Sequence, residues 1–507
     1  MLHSARRQPV LKGVRRLRLR GIVFRLAAVV LGLAPFIVAE AVFAVLDWGR
    51  PAYDEDPFVG FSAAQPLFVL SDDGTRYEIP RSRQVFFRPE SFAAQKADDE
   101  FRIFCLGGST VQGRPFAVET SFTTWLEIDL EAADPKRRWE VVNCGGVSYA
   151  SYRLVPILEE VLGFDPDLII LYTGHNEFLE DRTYAHIKHL PRVVAGPCEL
   201  ASQTRTYTLL RRAYVQLLGV SDAGAEDGRP ILGPETEAML EYRGGLDQYE
   251  RDDKWRRDVI EHFCYNLDRM VQIAHDAGVP VLLVNPVCNL RDCAPFKAQH
   301  RDHLTDDQLR RWESLVSRAG EVQRTDLRRA VRLLQEAAAI DDQHAGAHYR
   351  LAKCYDALGM LDQARESYLQ AKELDVCPLR ILEPMNQAVL ETADRTATPV
   401  LDVRKIFEDL SQGGIPGGYL LVDHVHPSIA GHRRIADALT DELTARGIVD
   451  PVPGWEKTRD QKAEEHLGSL SDLYFAQGQE RLESLRGWTQ GKADWERPRG
   501  RATGKPP

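Results

Sequence analysis

The sequence predicts an α/β protein: a three-layer α/β/α parallel sheet with an α-helical insertion, preceded by a transmembrane helix. Three observations carry that prediction. Five short β-branched runs alternate with helical stretches, a pattern that implies right-handed crossovers and a sheet buried on both faces. A helical segment at 303–395 contains a 34-residue spacing of small and aromatic residues. An apolar run near the start of the chain follows a dense set of cations.

Length and charge set the outer bounds. The 507 residues give room for two or three domains, and 44% hydrophobic with 27% charged residues is a globular makeup. A mainly disordered, collagen-like or disulfide-stapled chain is excluded. With 64 basic against 75 acidic residues the net charge is −11, so nothing points to nucleic acid as a partner.

In chain order, residues 1–25 form a basic segment with eight Lys/Arg and no acid, from Arg6 to Arg25. Residues 26–47 follow as the anchor. Their apolar run, Leu26 to Leu46, is 21 residues with one ionisable group, Glu40. At about 1.5 Å per residue it matches a bilayer core of roughly 30 Å. Cations before the span and Asp47, Asp54 and Glu55 after it predict a cytoplasmic N-terminus and an extracytoplasmic bulk. The rival is a cleaved signal peptide with Ala39-Glu40-Ala41 as its site. The apolar run continues through Leu46, which favours the uncleaved anchor. Outside the cytosol disulfides can form, and Cys288 and Cys293 are near enough in sequence to bridge. Cys105 and Cys144 fall in apolar strands and are expected as buried free thiols.

Residues 50–100 read as extended segments with a hairpin turning at Asp72-Asp73-Gly74, covering the main domain. The main domain occupies 101–302 and 396–450. Its strands are FRIFCL (101–106), EVVNC (140–144), DLIILY (167–172), VPVLLVN (279–285) and TPVLDV (398–403). Helices are expected at 119–133, 150–162, 252–277 and 428–447. A first insertion at about 178–250 holds an expected helix at 203–218 and a Gly/Pro-rich loop near 219–235. The second, at 303–395, resembles the tetratricopeptide repeat over 345–378. There Leu351, Ala352, Tyr355, Ala364, Tyr368, Ala371 and Pro378 occupy its positions, and Ala330 and Ala337 mark a partial earlier copy. A C-terminal helix at 451–490 and a disordered basic tail at 491–507 complete the chain.

Three motifs lie at strand ends, where open parallel sheets build their sites. Ser109, in LGGST after the first strand, is placed to expose a hydroxyl beside backbone amides. Alone, Gly-Gly-Ser reads more readily as a tight turn. Asn176, in Gly174-His175-Asn176-Glu177, can offer its amide to an oxyanion; alone it reads as a helix N-cap. Asp423-His424-Val425-His426-Pro427 places an Asp three residues before a His, the spacing that lets Asp423 fix the His426 tautomer. Pro427 suits the first turn of the helix that follows. Metal binding by Asp423, His424 and His426 ranks below this, since no other His/Asp cluster supplies the remaining ligands.

Together the three motifs resemble the SGNH/GDSL hydrolase family, with its three-layer, flavodoxin-like sheet. The resemblance implies Ser109 as nucleophile, Asp423 as orienter, His426 as base and Asn176 as oxyanion donor. The Ser109 N–H and a second backbone amide from NCGGVSYAS (143–151) would join it, from Gly146 or, in the other alignment, Ser148. Gly108 stands where the family carries Asp. The implied function is a membrane-anchored extracytoplasmic serine hydrolase that cleaves an acyl or acetyl ester of a carbohydrate or lipid, with no cofactor and no metal. One alternative is an O-acyltransferase modifying a cell-envelope polysaccharide. The other, from a different class, is a scaffold whose repeat binds a protein partner beside a non-catalytic domain.

Overall fold

The computed structural model describes residues 65–180 and 245–491, with short stretches at 34–36, 38–43, 60–61, 205–206, 209, 231–232 and 239. The expected span at 26–46 lies outside the described residues apart from helical positions 34–36 and 38–43. No helix among the described residues is long and apolar enough to cross a membrane. Most of the expected helix at 203–218 and loop at 219–235, and the tail after Gly491, also lie outside them. The chain divides into a smaller unit, Met1–Gly60 with Thr183–Ile231, and a larger one, Phe61–Arg182 with Leu232–Pro507. In the smaller unit the Glu40 carboxylate accepts the N–H groups of Arg205 (2.8 Å) and Thr206 (2.9 Å), which satisfies the one ionisable group of the apolar run.

The larger unit opens with β1 (Val69–Leu70), β2 (Arg76–Glu78) and β3 (Ser91–Ala93). They form a three-stranded antiparallel sheet where a single hairpin was expected, since Ser91–Ala93 adds a third strand beyond the turn at 72–74. Its Phe68 and Phe92 pack edge-on against Phe104 of the main sheet, which holds the small sheet as a cover.

The main sheet comprises β4 (Glu100–Gly107), β5 (Arg138–Gly145), β6 (Leu168–Tyr172), β7 (Val281–Asn285) and β8 (Val400–Asp402). All its pairs are parallel and the order is β5-β4-β6-β7-β8. The strand order therefore reverses between β4 and β6, where doubly wound sheets open a crevice at their C-terminal edge. Gly107 registers with both Gly145 and Tyr172, so three strands end level with one another.

The helices are α1 (Ser109–Gln112), α2 (Phe122–Ala133), α3 (Ser151–Val161) and α4 (Asp253–Asp276). After them come α5 (Asp306–Val322), α6 (Leu327–Ile340), α7 (Ala345–Ala357), α8 (Leu361–Glu373) and α9 (Glu383–Thr396). The last are α10 (Val403–Asp409), α11 (Ile429–Ala445), α12 (Trp455–Ser469) and α13 (Asp472–Gly491). Helices α2, α11 and α12 pack together over one face of the sheet, and α3, α4 and α9 over the other. Strand alternation follows: Ile103 and Cys105 join the core under α2, while Phe104 points to the opposite face. Local chemistry sets the starts. Asp252 caps α4 through Lys254 and Trp255 N–H groups, and Ser428 caps α11 through that of Gly431. Pro427 thus precedes the cap and lies outside the first helical turn where it was expected.

The second insertion is four antiparallel helices, α5 to α8. Ala330, Ala337, Ala364 and Ala371 are all sealed at the inter-helix contacts, where only small side chains fit. The first half of the earlier repeat fits the pattern poorly because α5 has 17 residues against 13 in α7. Helix α9, though inside the span expected for the insertion, packs on α4 and β7 as the crossover into β8. Cys288 and Cys293 are both buried free thiols and do not bridge; Cys105 and Cys144 are likewise free and buried. Burial pushes the Cys144 thiol well up and that of Cys293 up to about 12.

Candidate active site

Ser109 begins α1, directly after the Gly107-Gly108 exit of β4, and is 7% exposed. Asp423 and His426 arrive from the far end of the chain on a tight turn between β8 and α11. The turn is closed by the Val422 N–H to the His426 carbonyl (2.9 Å) and a bridge between Leu421 and Pro427. The Asp423 carboxylate accepts the N–H groups of Val425 (3.0 Å) and His426 (2.9 Å) through Oδ1. Its Oδ2 is left to take Nδ1 of His426 at 2.6 Å. His426 Nε2 then stands 2.7 Å from Ser109 Oγ. With Nδ1–H donated to Asp423, Nε2 is the acceptor for the serine proton. Burial alone would raise the Asp423 carboxyl, but the His426 and His424 imidazoles beside it hold it well below the usual carboxylate range. The orienting charge is therefore present at any ordinary pH.

The donors for an oxyanion come from three loops. Main-chain hydrogen bonds of the β5 exit decide between the two candidates there. The Gly146 N–H is consumed by the Gly107 carbonyl (3.0 Å), that of Val147 by Phe86 (2.8 Å), and that of Tyr149 by Gly146 (3.3 Å). Ser148, at the left-handed position of this turn (φ 65°), keeps its N–H unpaired among the described residues. Of the two candidates, the Ser148 N–H is the one this turn leaves free to donate. The Ser109 N–H, at the start of α1, is likewise unpaired.

Asn176 lies in a loop and caps no described helix. Its Nδ2 donates to the Tyr149 carbonyl (2.9 Å), leaving its second amide hydrogen available. A Cβ built on Gly108 would fall 2.5 Å from that nitrogen, so the Asn176 amide lies against the residue preceding Ser109. Glu177 accepts from the Ser151 N–H (2.8 Å) and hydroxyl (2.9 Å), fastening the loop to the start of α3.

Sequence reasoning missed the residues that brace the Asp-His turn. Asn289, just past β7, donates its N–H to the His424 carbonyl (2.9 Å) and its side-chain amide to that of Asp423 (2.9 Å). Buried Arg380, on the segment leaving the helical insertion, donates to the Asn289 (3.0 Å) and Cys293 (2.9 Å) carbonyls. Ile381 N–H donates to His175 Nδ1 (3.2 Å), so His175 carries its proton on Nε2. Burial, the largest influence, pushes the His175 imidazole well below its ordinary range. The run NPVCNL at a strand's C-terminal end was the available signal for Asn289; nothing local marked Arg380.

Asp423, His424 and His426 do place ligand-type atoms within 4.8 Å of one another. Both ring nitrogens of His426 are already engaged, however, so a metal would displace either the serine or the carboxylate. A serine hydroxyl, an imidazole with a fixed tautomer and three free N–H donors are the groups that acyl transfer requires.

Residues 321–375 match the tetratricopeptide repeat family. A comparison with curated protein sequences finds no match. Among solved structures, the chain is similar to a lipolytic protein of the G-D-S-L family from Desulfitobacterium hafniense DCB-2. That match has 12% identity and a TM-score of 0.29, over 67% of this chain and 98% of the other. A lipase/acylhydrolase from Enterococcus faecalis overlaps at 12% identity and TM-score 0.31, over 70% and 100% of the two chains. An acetylxylan esterase from Geobacillus stearothermophilus does so at 13% and 0.31, over 69% and 96%. Those overlaps are loose, so the roles of this chain's residues stand on its own geometry.

Proposed function

We propose that the chain is a serine hydrolase of acyl esters, tethered to a membrane and working outside the cytosol. The observation that carries the reading is the unbroken hydrogen-bonded chain from Asp423 through His426 to Ser109. As Ser109 Oγ attacks the acyl carbonyl, His426 Nε2 takes its proton and Asp423 stabilises the imidazolium that forms. The negative charge on the tetrahedral oxygen is met by the Ser109 and Ser148 N–H groups and the Asn176 amide. Collapse passes the proton from His426 to the leaving alcohol and leaves an acyl-Ser109 ester. Water, deprotonated by His426, then releases the acid. A sugar hydroxyl in place of water would make the same site an O-acyltransferase.

The test is Ser109→Ala. The variant is expected to stay folded and to lose both fluorophosphonate labelling and ester cleavage, by several orders of magnitude in kcat. Undiminished turnover by a folded variant would end the assignment. Acyl release to water against transfer to an added oligosaccharide, followed by mass spectrometry, separates hydrolysis from transfer.

A further inference from the structure

We propose that Tyr149, gripped by Arg83, is a positioning residue that aims the Asn176 amide and steadies the Ser148 N–H. This rests on the ester reading and gives the cover segment a part in it.

An asparagine amide turns readily about its last torsion unless one of its hydrogens is held. Asn176 has that hold, since Nδ2 donates to the Tyr149 carbonyl at 2.9 Å. The second amide hydrogen is then aimed only as firmly as that carbonyl is fixed. Tyr149 sits in the irregular turn between β5 and α3, directly after Ser148 with its left-handed backbone. Its own N–H makes a long bond to the Gly146 carbonyl (3.3 Å), a weak hold by the main chain.

The side chain supplies the rest. The Tyr149 ring is 2% exposed and meets Phe87 edge-on, with centroids 4.7 Å apart. It also lies against Gly146, where a Cβ would fall 2.7 Å from Tyr149 Cδ2 and 2.9 Å from Phe87 Cε1. At the tip of the ring, Arg83 Nη2 donates to the Tyr149 hydroxyl at 3.0 Å. The Arg83 guanidinium is itself buried and lies over the Phe87 ring (5.2 Å). Arg83, Phe86 and Phe87 all belong to the segment between β2 and β3. The Phe86 carbonyl accepts the Val147 N–H (2.8 Å) from the same turn and Gln112 Nε2 (2.7 Å) from α1. One segment thus ties the turn that carries Ser148 and Tyr149 to the helix that begins at Ser109. Packing alone does not ask for the Arg83–Tyr149 pair. A phenylalanine at 149 and an apolar side chain at 83 would fill the space without desolvating a guanidinium. What a buried hydrogen bond adds is direction, here passed to the Tyr149 carbonyl and from it to the Asn176 amide.

The experiment is a double-mutant cycle on the full chain, with kcat and KM read on p-nitrophenyl acetate. Tyr149→Phe removes the hydroxyl and keeps the ring; thermal melting verifies the fold. Its kcat is expected to fall by about tenfold or more, with little change in KM. The limit is on the order of 10²–10³, the cost of a lost oxyanion donor. In an Asn176→Ala background the same substitution should cost only about twofold, because the group it aims is gone. Arg83→Met should reproduce the loss, and Arg83→Lys, which keeps a donor, should restore part of it. Wild-type kcat in Tyr149→Phe or in a folded Arg83→Met, or an equal factor in both backgrounds, would overturn the proposal. If the wild type neither labels at Ser109 with fluorophosphonate nor cleaves the ester, the ester reading falls. Crystal structures of the wild type and Tyr149→Phe then decide the positioning claim: a displaced Asn176 amide upholds it, and an unmoved one overturns it.

Discussion

At the scale of single residues, the site depends on how closely Gly108 lets Asn176 approach. A side chain at 108 would meet Asn176 Nδ2 at 2.5 Å and the Tyr149 carbonyl at 3.4 Å. Gly108→Ala should therefore push the Asn176 amide away, and with it one oxyanion donor. Losing such a donor costs on the order of 10²–10³ in kcat. The expected outcome is a folded protein with that loss in kcat and little change in KM, measured by steady-state ester kinetics. An unchanged kcat would mean that Asn176 does not serve the oxyanion. The grouping of Ser109, Asn176, Asp423 and His426 was legible in the sequence because each sits in a short local motif, though only Ser109 and Asn176 lie just past a strand; Asp423 and His426 lie on a turn that α10 separates from β8. The choice between Gly146 and Ser148 was not legible. It turns on which N–H the Gly107 carbonyl consumes, and that is fixed by pairing with a strand about 40 residues away. Arg380 was hidden for the same reason: its partners, Asn289 and Cys293, are about 90 residues off.

At the scale of elements, strands and helices were legible because β-branched runs and 3.6-residue periodicity are local signals. What protects the sheet's edge was not. The outer N–H groups of edge strand β5 are taken by carboxylates: Val141 by Glu127 of α2 (2.9 Å) and Asn143 by Glu90 of the cover segment (3.3 Å). These bonds blunt an edge that could otherwise pair with another chain. Burial raises both carboxyls from 4.5 to about 7; Glu140 adds repulsion to each, and Glu131 and Glu90 add more at Glu127. A carboxyl raised in the folded state binds its proton more tightly there than in the unfolded chain. Its contribution to stability is full below about pH 4.5 and is lost as pH rises through 7. The melting temperature should accordingly carry a downward component between pH 5 and 8. Glu90→Gln with Glu127→Gln keeps a carbonyl acceptor for each N–H while removing the titration. By differential scanning fluorimetry the double variant should match the wild type near pH 5 and melt higher at pH 8. Parallel curves for the two proteins would show that neither carboxyl titrates in this range.

At the scale of the whole molecule, the basic segment and apolar run predict that the catalytic domain is exported and stays tethered. Reporter fusions after residue 60 should be active only with a reporter that functions outside the cytosol; a mature N-terminus near Phe43 would point instead to cleavage. The helical insertion poses the sharper question. One full repeat and a partial one cannot bury their own apolar face, and arrays of this kind generally need about three copies. The cover is internal. Ala347, Leu351, Tyr355, Tyr368 and Ala371 share a core with Cys288, Leu290, Ile415 and Val425, and Val425 lies between His424 and His426. At the insertion's exit Asp375 pairs with Arg380 (3.5 Å), which holds the Asn289 loop, and Ile381 holds His175. A Cβ on Gly174 would meet Ile381 Cδ1 at 2.7 Å, so this exit lies directly on the loop that presents Asn176. Deleting residues 325–378 with a short linker would expose four side chains of the triad's supporting loops, at roughly 1.5–3 kcal/mol for each large one. It would also leave Arg380 buried without its carboxylate, a further cost of several kcal/mol. Against a total stability of about 5–15 kcal/mol, that sum is large enough to unfold the Asp-His turn or the whole unit. The deletion variant is therefore expected to melt far lower and to lose fluorophosphonate labelling at Ser109, rather than merely to shed a bound protein. A stable, fully active deletion that only loses a co-purifying partner would make the insertion a docking module instead of a wall of the catalytic site.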